Sequence, residues 1–233
     1  MNLFVLAVLA SEAAKYHCDK HCIKMILEVC QLLYTAHWFG RTSVEWAPSK
    51  YPPYKPTHKN HPCAIWVRAD KSHYDWALDL GLELCQEYTH RYDKIHKCET
   101  HLNRLKTMGY PELIGTETYE PPAKKRATFN TPKGCDYFHV AIADELFEKC
   151  AVYQDGELDC VETYRNYYKT KPWKLQWNRG KDNPPWWFSK PIDTTHYQSS
   201  SLTKPSPECS PNCSCQNCII TPPPAKRKRT EKS

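Results

Sequence analysis

The string YHCDKHCIK places His17, Lys20, His21 and Lys24 close together, and these residue types suit two kinds of chemistry. Two histidines four apart on a helix project from one face and can share a metal ion, as in the HxxxH half of zinc enzyme sites. The glutamate that zincins place after the first His is absent, and Cys18 and Asp19 fill those positions. Without a metal, two imidazoles and two ammonium groups suit gripping a phosphate and moving protons near neutral pH. Glu28, one turn further on, can orient a lysine or act as a base. On a single helix drawn from Glu12 to Trp38, the positions His21, Lys24, Glu28, Gln31 and Thr35 fall within about 40° of His17, and the rest of the circumference is mostly apolar. Such a helix is expected to be central, with its polar stripe facing a cavity or a partner. The plainer alternative is an ion-paired helix face.

Two further clusters extend the stripe. In KPTHKNHPCAIW, His58 and His61 stand on a loop and a helix start, with Lys55, Lys59 and Arg68 nearby. Backbone N–H groups at a helix start attract anions. Thr57 or Asn60 acting as a simple cap is the competing reading. If the two helices pack together, His17, His21, His58 and His61 would converge on a divalent metal ion or on a phosphate. In CQEYTHRYDKIHK, Glu87 and Arg91 form an i, i+4 pair that is either surface support or, with Glu83 and His90, a general base beside an anion clamp.

The elements that must position these residues read as mainly helical. Leu3 to Ala10 is an apolar run that fits a buried strand better than a short signal peptide, because it lacks a basic start. A second helical region is expected from about Asn60 to Leu105, with Pro62 in its first turn and an interruption near Lys71 or Gly81. Gly109 to Cys135 reads as an irregular excursion, and Asp144 to Cys150 and Val161 to Tyr168 as short helices. The expected fold is therefore one helical domain over residues 1–188 with one or two short strands. No segment approaches the length of a membrane span.

From about residue 189 the chain turns rich in Ser, Thr and Pro, a composition that cannot offset ordering entropy. Residues 189–233 are accordingly expected to be a disordered basic tail. Of the net charge of +6, residues 190–233 hold seven Lys or Arg against three acids, so most of the excess sits there. Lys226, Arg227, Lys228 and Arg229 have the pattern of a nuclear-import signal or a phosphate-binding arm. Cys209, Cys213, Cys215 and Cys218 are compact enough for one zinc with four thiolates, although Cys213 and Cys215 are set unusually close. Oxidisable thiols are the alternative. The odd total of 13 cysteines, together with the basic run, favours a reducing compartment. Trp173, Trp177, Trp186 and Trp187 alternate with Lys and Arg, a pattern that serves either base stacking or core packing.

The strings HCDKHxxKMxxE, THKNHPCAIW and EYTxRYxKxHK, with ETYRNYY near residue 165, resemble a family of small, largely uncharacterised proteins of bacteriophages and large DNA viruses. The resemblance covers roughly residues 1–188 and implies a virus-type protein, which together with the basic run of the tail leads to an expected place in the nucleus or cytoplasm of a host cell. The leading functional reading is an enzyme acting on a nucleotide or nucleic acid. Its chemistry would be phosphoester or glycosidic, with Lys20 or Lys24 as an amine nucleophile in the second case. The alternative is a nuclear binding protein without catalytic activity, whose zinc-binding tail contacts DNA or a host protein. A third reading, placed below both, is a pyrimidine-dimer glycosylase resembling the small phage repair enzymes. Those rely on an N-terminal amine, and a Met1 followed by Asn2 is not normally removed.

Overall fold

The computed structural model describes residues 1–40, 52–111, 121–134, 137–179 and 183–191. The predicted tail from 192 onward, including its four cysteines and its basic run, lies outside the described residues. So does 41–51 of the Pro-rich and aromatic loop.

The single helix expected from Glu12 to Trp38 is two helices, α1 (Ala10–Tyr16) and α2 (Asp19–Trp38). His17 and Cys18 between them are extended, with ψ of 133° and 162°. The cause is a distant segment. The Asp19 N–H donates to the Gln176 carbonyl at 2.9 Å, and the Asp19 carboxylate accepts from the Asn178 N–H at 2.7 Å. The first amide of α2 is thereby held outside α1, and the helix restarts there.

Of the apolar run Leu3 to Ala10, Leu3 to Ala7 are buried as expected, but Val8 and Leu9 are exposed and Ala10 starts α1, and the run pairs with no strand among the described residues. Its polar backbone is met by side chains instead: the Leu3 N–H donates to Asn2 Oδ1 at 2.8 Å, and the Leu6 carbonyl accepts from Arg165 Nε at 3.0 Å. Buried backbone groups must be paired, and side chains can do this where no ladder exists.

The second helical region resolves into α3 (Pro62–Ala69), α4 (Lys71–Tyr92) and α5 (Glu99–Met108). Asp70 separates α3 from α4 and caps α4 through Ser72 N–H. Gly81, the other expected break, lies inside α4 because α2 and α5 come very close there. A Cβ at Gly81 would stand 2.9 Å from Val29 Cγ1 and 3.0 Å from a Leu102 methyl. Helix α2 packs on α3, α4 and α5, and Met25, Ile26, Val29, Leu32 and Leu33 are buried, which makes it the central helix.

Four short strands form a sheet against this bundle rather than the one or two expected. Strands β1 (Arg126–Thr128), β2 (Tyr137–His139), β3 (Tyr153–Gln154) and β4 (Glu157–Asp159) lie in the order β2-β1-β4-β3. β1 falls within the stretch expected to be irregular. β3 and β4 form a hairpin over Asp155 and Gly156, both at positive φ, as a two-residue hairpin turn requires. The short helices are α6 (Asp144–Cys150) and α7 (Cys160–Lys169). Trp66 joins the sheet to the bundle by donating from Nε1 to the Tyr137 carbonyl at 2.6 Å.

Candidate active site

Glu28 lies on the buried flank of α2 with its side chain 10% exposed, and each of its carboxylate oxygens faces an amine. Oε1 meets Lys24 Nζ at 2.9 Å, one helical turn away. Oε2 meets the α-ammonium group of Met1 at 3.8 Å and accepts from the Asn2 N–H at 2.8 Å. Lys24 itself is 61% exposed, so this end of the site opens to solvent.

Asn2 fixes the start of the chain in this position. Its Nδ2 donates to the Ala141 carbonyl at 2.9 Å, and its Oδ1 accepts from Tyr164 OH at 3.1 Å as well as from Leu3 N–H. Tyr164 in turn accepts from the Ala141 N–H at 3.0 Å. Tyr164 is buried, which drives its pKa well above the ordinary phenol value. It therefore stays protonated and can keep donating to Asn2.

Three histidines border the site. His61 caps α3, its Nδ1 accepting from the Cys63 N–H at 3.2 Å. Burial lowers its pKa, with the Met1 ammonium and His58 adding to the effect and Glu28 opposing it. His139 on β2 is lowered to about 4 by burial, then by Lys125 and His61. His21 stacks on Phe4, with ring centroids 4.8 Å apart and a 15° interplanar angle, and its Nδ1 lies 2.7 Å from Tyr168 OH. Its pKa is lowered to about 4 by burial, then by Lys24 and Lys171, against a smaller opposing effect of Glu28. These imidazoles are therefore neutral at pH 7. His58 is exposed at φ 49°, with its Nδ1 2.7 Å from Thr57 Oγ1.

The remaining candidates lie elsewhere. The break before α2 takes His17 off the stripe, because a residue outside the helix no longer keeps helical phase with His21. His17 is fully buried; its Nδ1 donates to the Ala13 carbonyl at 2.6 Å, which leaves Nε2 as a buried acceptor with no partner among the described residues. Burial, partly offset by that hydrogen bond, puts its pKa near 3.

Glu87 and Arg91 form an interior clamp in place of the anion-binding set expected from the sequence. The Arg91 side chain is 0% exposed and gives Nε to Glu87 at 2.7 Å, NH1 to the His17 carbonyl at 2.8 Å and to Asp19 at 3.1 Å, and NH2 to the Lys15 carbonyl at 3.0 Å. A guanidinium so engaged is not open to an external anion. Lys20, Lys59 and His90 are exposed. Arg68 donates to the Lys59 carbonyl at 2.6 Å and lies over the Phe39 ring. Among the described residues no group of three or more His, Cys, Asp or Glu is placed to hold a metal ion. No described helix is long and apolar enough to cross a membrane. Trp177 and Trp186 are buried and Trp187 is partly buried against the core, while Trp173 is 73% exposed, so three of the four tryptophans serve packing.

Sequence reasoning missed Met1, Asn2, Tyr164 and Tyr168 as parts of this site. The string ETYRNYY carried a signal for the two tyrosines, which stand four apart and so share a face of α7. Nothing near Met1 in sequence points to Glu28.

Residues 1–100 match the model of a family described as pyrimidine dimer DNA glycosylase. The match covers less than half of the chain and includes Met1, His21, Lys24, Glu28 and His61, but none of the residues that α7 contributes. No curated protein and no solved structure matches the chain significantly.

Proposed function

We propose that the protein is a DNA glycosylase that attacks the sugar of a damaged nucleotide with an amine held against Glu28. The observation that carries this reading is the buried Glu28 carboxylate with one amine at each oxygen, the α-amine of Met1 and Nζ of Lys24. Similarity of residues 1–100 to pyrimidine dimer glycosylases supports the same class of chemistry and suggests a pyrimidine dimer as the lesion.

In the step proposed, the neutral amine nitrogen bonds to the sugar C1′, the glycosidic bond breaks, and the base leaves with the bonding electrons. Loss of the amine proton and opening of the sugar ring give a Schiff base, which water hydrolyses. Glu28 takes the proton from the attacking amine and returns it to the ring oxygen. If Met1 supplies the amine, its own nitrogen is the group that faces Glu28. DNA is then the partner, and the basic run at Lys226 to Arg229 fits either an import signal or an additional phosphate-binding arm.

The test is borohydride trapping of the full chain on ultraviolet-irradiated duplex and on duplex carrying one abasic site. A covalent adduct is expected, with the modified peptide mapping to Met1 or Lys24. Neither base release nor an adduct on either duplex overturns the reading.

A further inference from the structure

Tyr168 is buried in α7, and its hydroxyl has one hydrogen-bond partner among the described residues, Nδ1 of His21 at 2.7 Å. The direction of that bond follows from counting protons. If the His21 ring donated, the single proton of the Tyr168 hydroxyl would be buried with no acceptor, at the full desolvation cost of a lost hydrogen bond. Tyr168 therefore donates, Nδ1 accepts, and the ring proton of a neutral His21 resides on Nε2. Burial raises the Tyr168 pKa well above the phenol range, so the hydroxyl keeps the proton it donates. Stacking on Phe4 sets the plane of the ring.

The surroundings of His21 select what its Nε2–H can meet. Lys20, Lys24 and Glu28 on α2, and Lys171 just beyond α7, all act on His21 electrostatically. His17 stands across Phe4, with ring centroids 6.3 Å apart, and is itself influenced by His21. Lys171 also lies over the Tyr167 ring at 3.9 Å and donates to the Tyr167 hydroxyl. Three ammonium groups against one carboxylate favour an anion, and a neutral N–H can donate to that anion without adding charge of its own.

We propose that Tyr168 is a positioning residue that locks His21 as its Nε2–H tautomer, and that this N–H, flanked by Lys24 and Lys171, binds a backbone phosphodiester of the DNA strand entering the Glu28 site. The choice of DNA as the anion rests on the glycosylase reading above. The tautomer does not depend on it.

Two measurements test the proposal. Nitrogen-15 spectra of the histidine rings in the full chain at pH 7 should show His21 protonated at Nε2 and bare at Nδ1. In Tyr168→Phe the His21 signals should move toward a mixture of tautomers. Protonation of wild-type His21 at Nδ1 overturns the proposal whatever the variant does.

Binding to an abasic-site duplex should weaken about threefold to tenfold in Tyr168→Phe, the effect of one hydrogen bond. A duplex with a single uncharged methylphosphonate, moved along the backbone, should cost wild type at one position and cost His21→Phe less there by a similar factor. Equal losses in both proteins at every position overturn the phosphate contact. Should Tyr168→Phe fail to fold, the wild-type spectrum and the His21→Phe comparison still decide the matter. Absence of any adduct with wild type, alongside a His21-dependent phosphonate effect, overturns the glycosylase reading and leaves this one standing.

Discussion

Lys24 with Glu28 and Glu87 with Arg91 are both opposite-charge pairs four residues apart on long helices, and in sequence they look alike. In the fold they part. Arg91 is wholly enclosed, and its donors are taken up by Glu87, Asp19 and two main-chain carbonyls where α1 ends and α2 begins. Lys24 is mostly exposed, and the far side of its carboxylate partner faces the α-amine of Met1 and the amide of Asn2. A charge pair whose valences are filled by backbone is architecture. One whose members face a second amine and open solvent keeps the capacity to exchange protons. Spacing cannot tell these apart, because the difference lies in what the rest of the chain brings to each pair.

The sharpest way to break this contrast is Glu28→Gln, which keeps shape and removes the base. Adduct formation on the abasic-site duplex should slow by roughly 10²- to 10⁴-fold, the span of general-base catalysis, while the melting temperature changes little. An unchanged trapping rate would place the chemistry elsewhere. Arg91→Ala should act in the opposite manner, taking from the interior the cation that Glu87, Asp19 and two main-chain carbonyls share and costing about 3–5 kcal/mol in urea unfolding. Lys24→Ala should cost no more than about 1 kcal/mol of stability, as befits an exposed partner. Equal destabilisation by the two would dissolve the distinction.

Acid should expose the buried histidines on both sides. An ordinary histidine titrates near 6.5, and His17 is held near 3 when folded. Between those values the unfolded chain binds a proton that the folded chain does not. The contribution of His17 is therefore complete above pH 6.5 and is lost as pH falls toward 3, at about 1.4 kcal/mol per pH unit. His21, His37 and His139, each lowered to about 4, act in the same direction. Urea midpoints at pH 7 and pH 5 should differ clearly, with pH 5 the less stable, and equal midpoints would contradict the burial of these rings. A local test of the packing is at Gly81, where α4 meets α2. Gly81→Ala would press a methyl group on Val29 and Leu102 and should cost about 1–3 kcal/mol. A variant as stable as the parent would mean that α2 and α4 can move apart.

Local signals in the sequence carried much of the fold. Pro62 after His61 marks the start of α3, Asp70 marks the junction with α4, and α6 spans Asp144–Cys150 as the pattern suggests. The helix break at His17 was not legible, since no glycine or proline stands there and the interruption is imposed by Gln176 and Asn178, far along the chain. The run Leu3 to Ala7 has the composition of a strand, yet its Leu3 N–H and Leu6 carbonyl are met by the side chains of Asn2 and Arg165. Of the site, Lys24 and Glu28 were visible as a helical pair. Met1 and Tyr168 were not, because their relation to Glu28 and His21 exists only after the start of the chain meets α7.

The docking of the chain start on α7 bears on how the protein comes into being. Asn2 is bonded to Tyr164 across 162 residues of sequence, and His21 to Tyr168 across 147. Contacts of such separation form late, because the loop between them must first be closed. During synthesis the helices α1 to α5 can pack while α7 is still being made, and the chain start has no Tyr164 to dock against until then. The stretch 1–100 that carries the family likeness would thus hold Lys24 and Glu28 in place without a fixed Met1. Competence of the pocket should arrive only when the chain is built through α7, as the final event of folding.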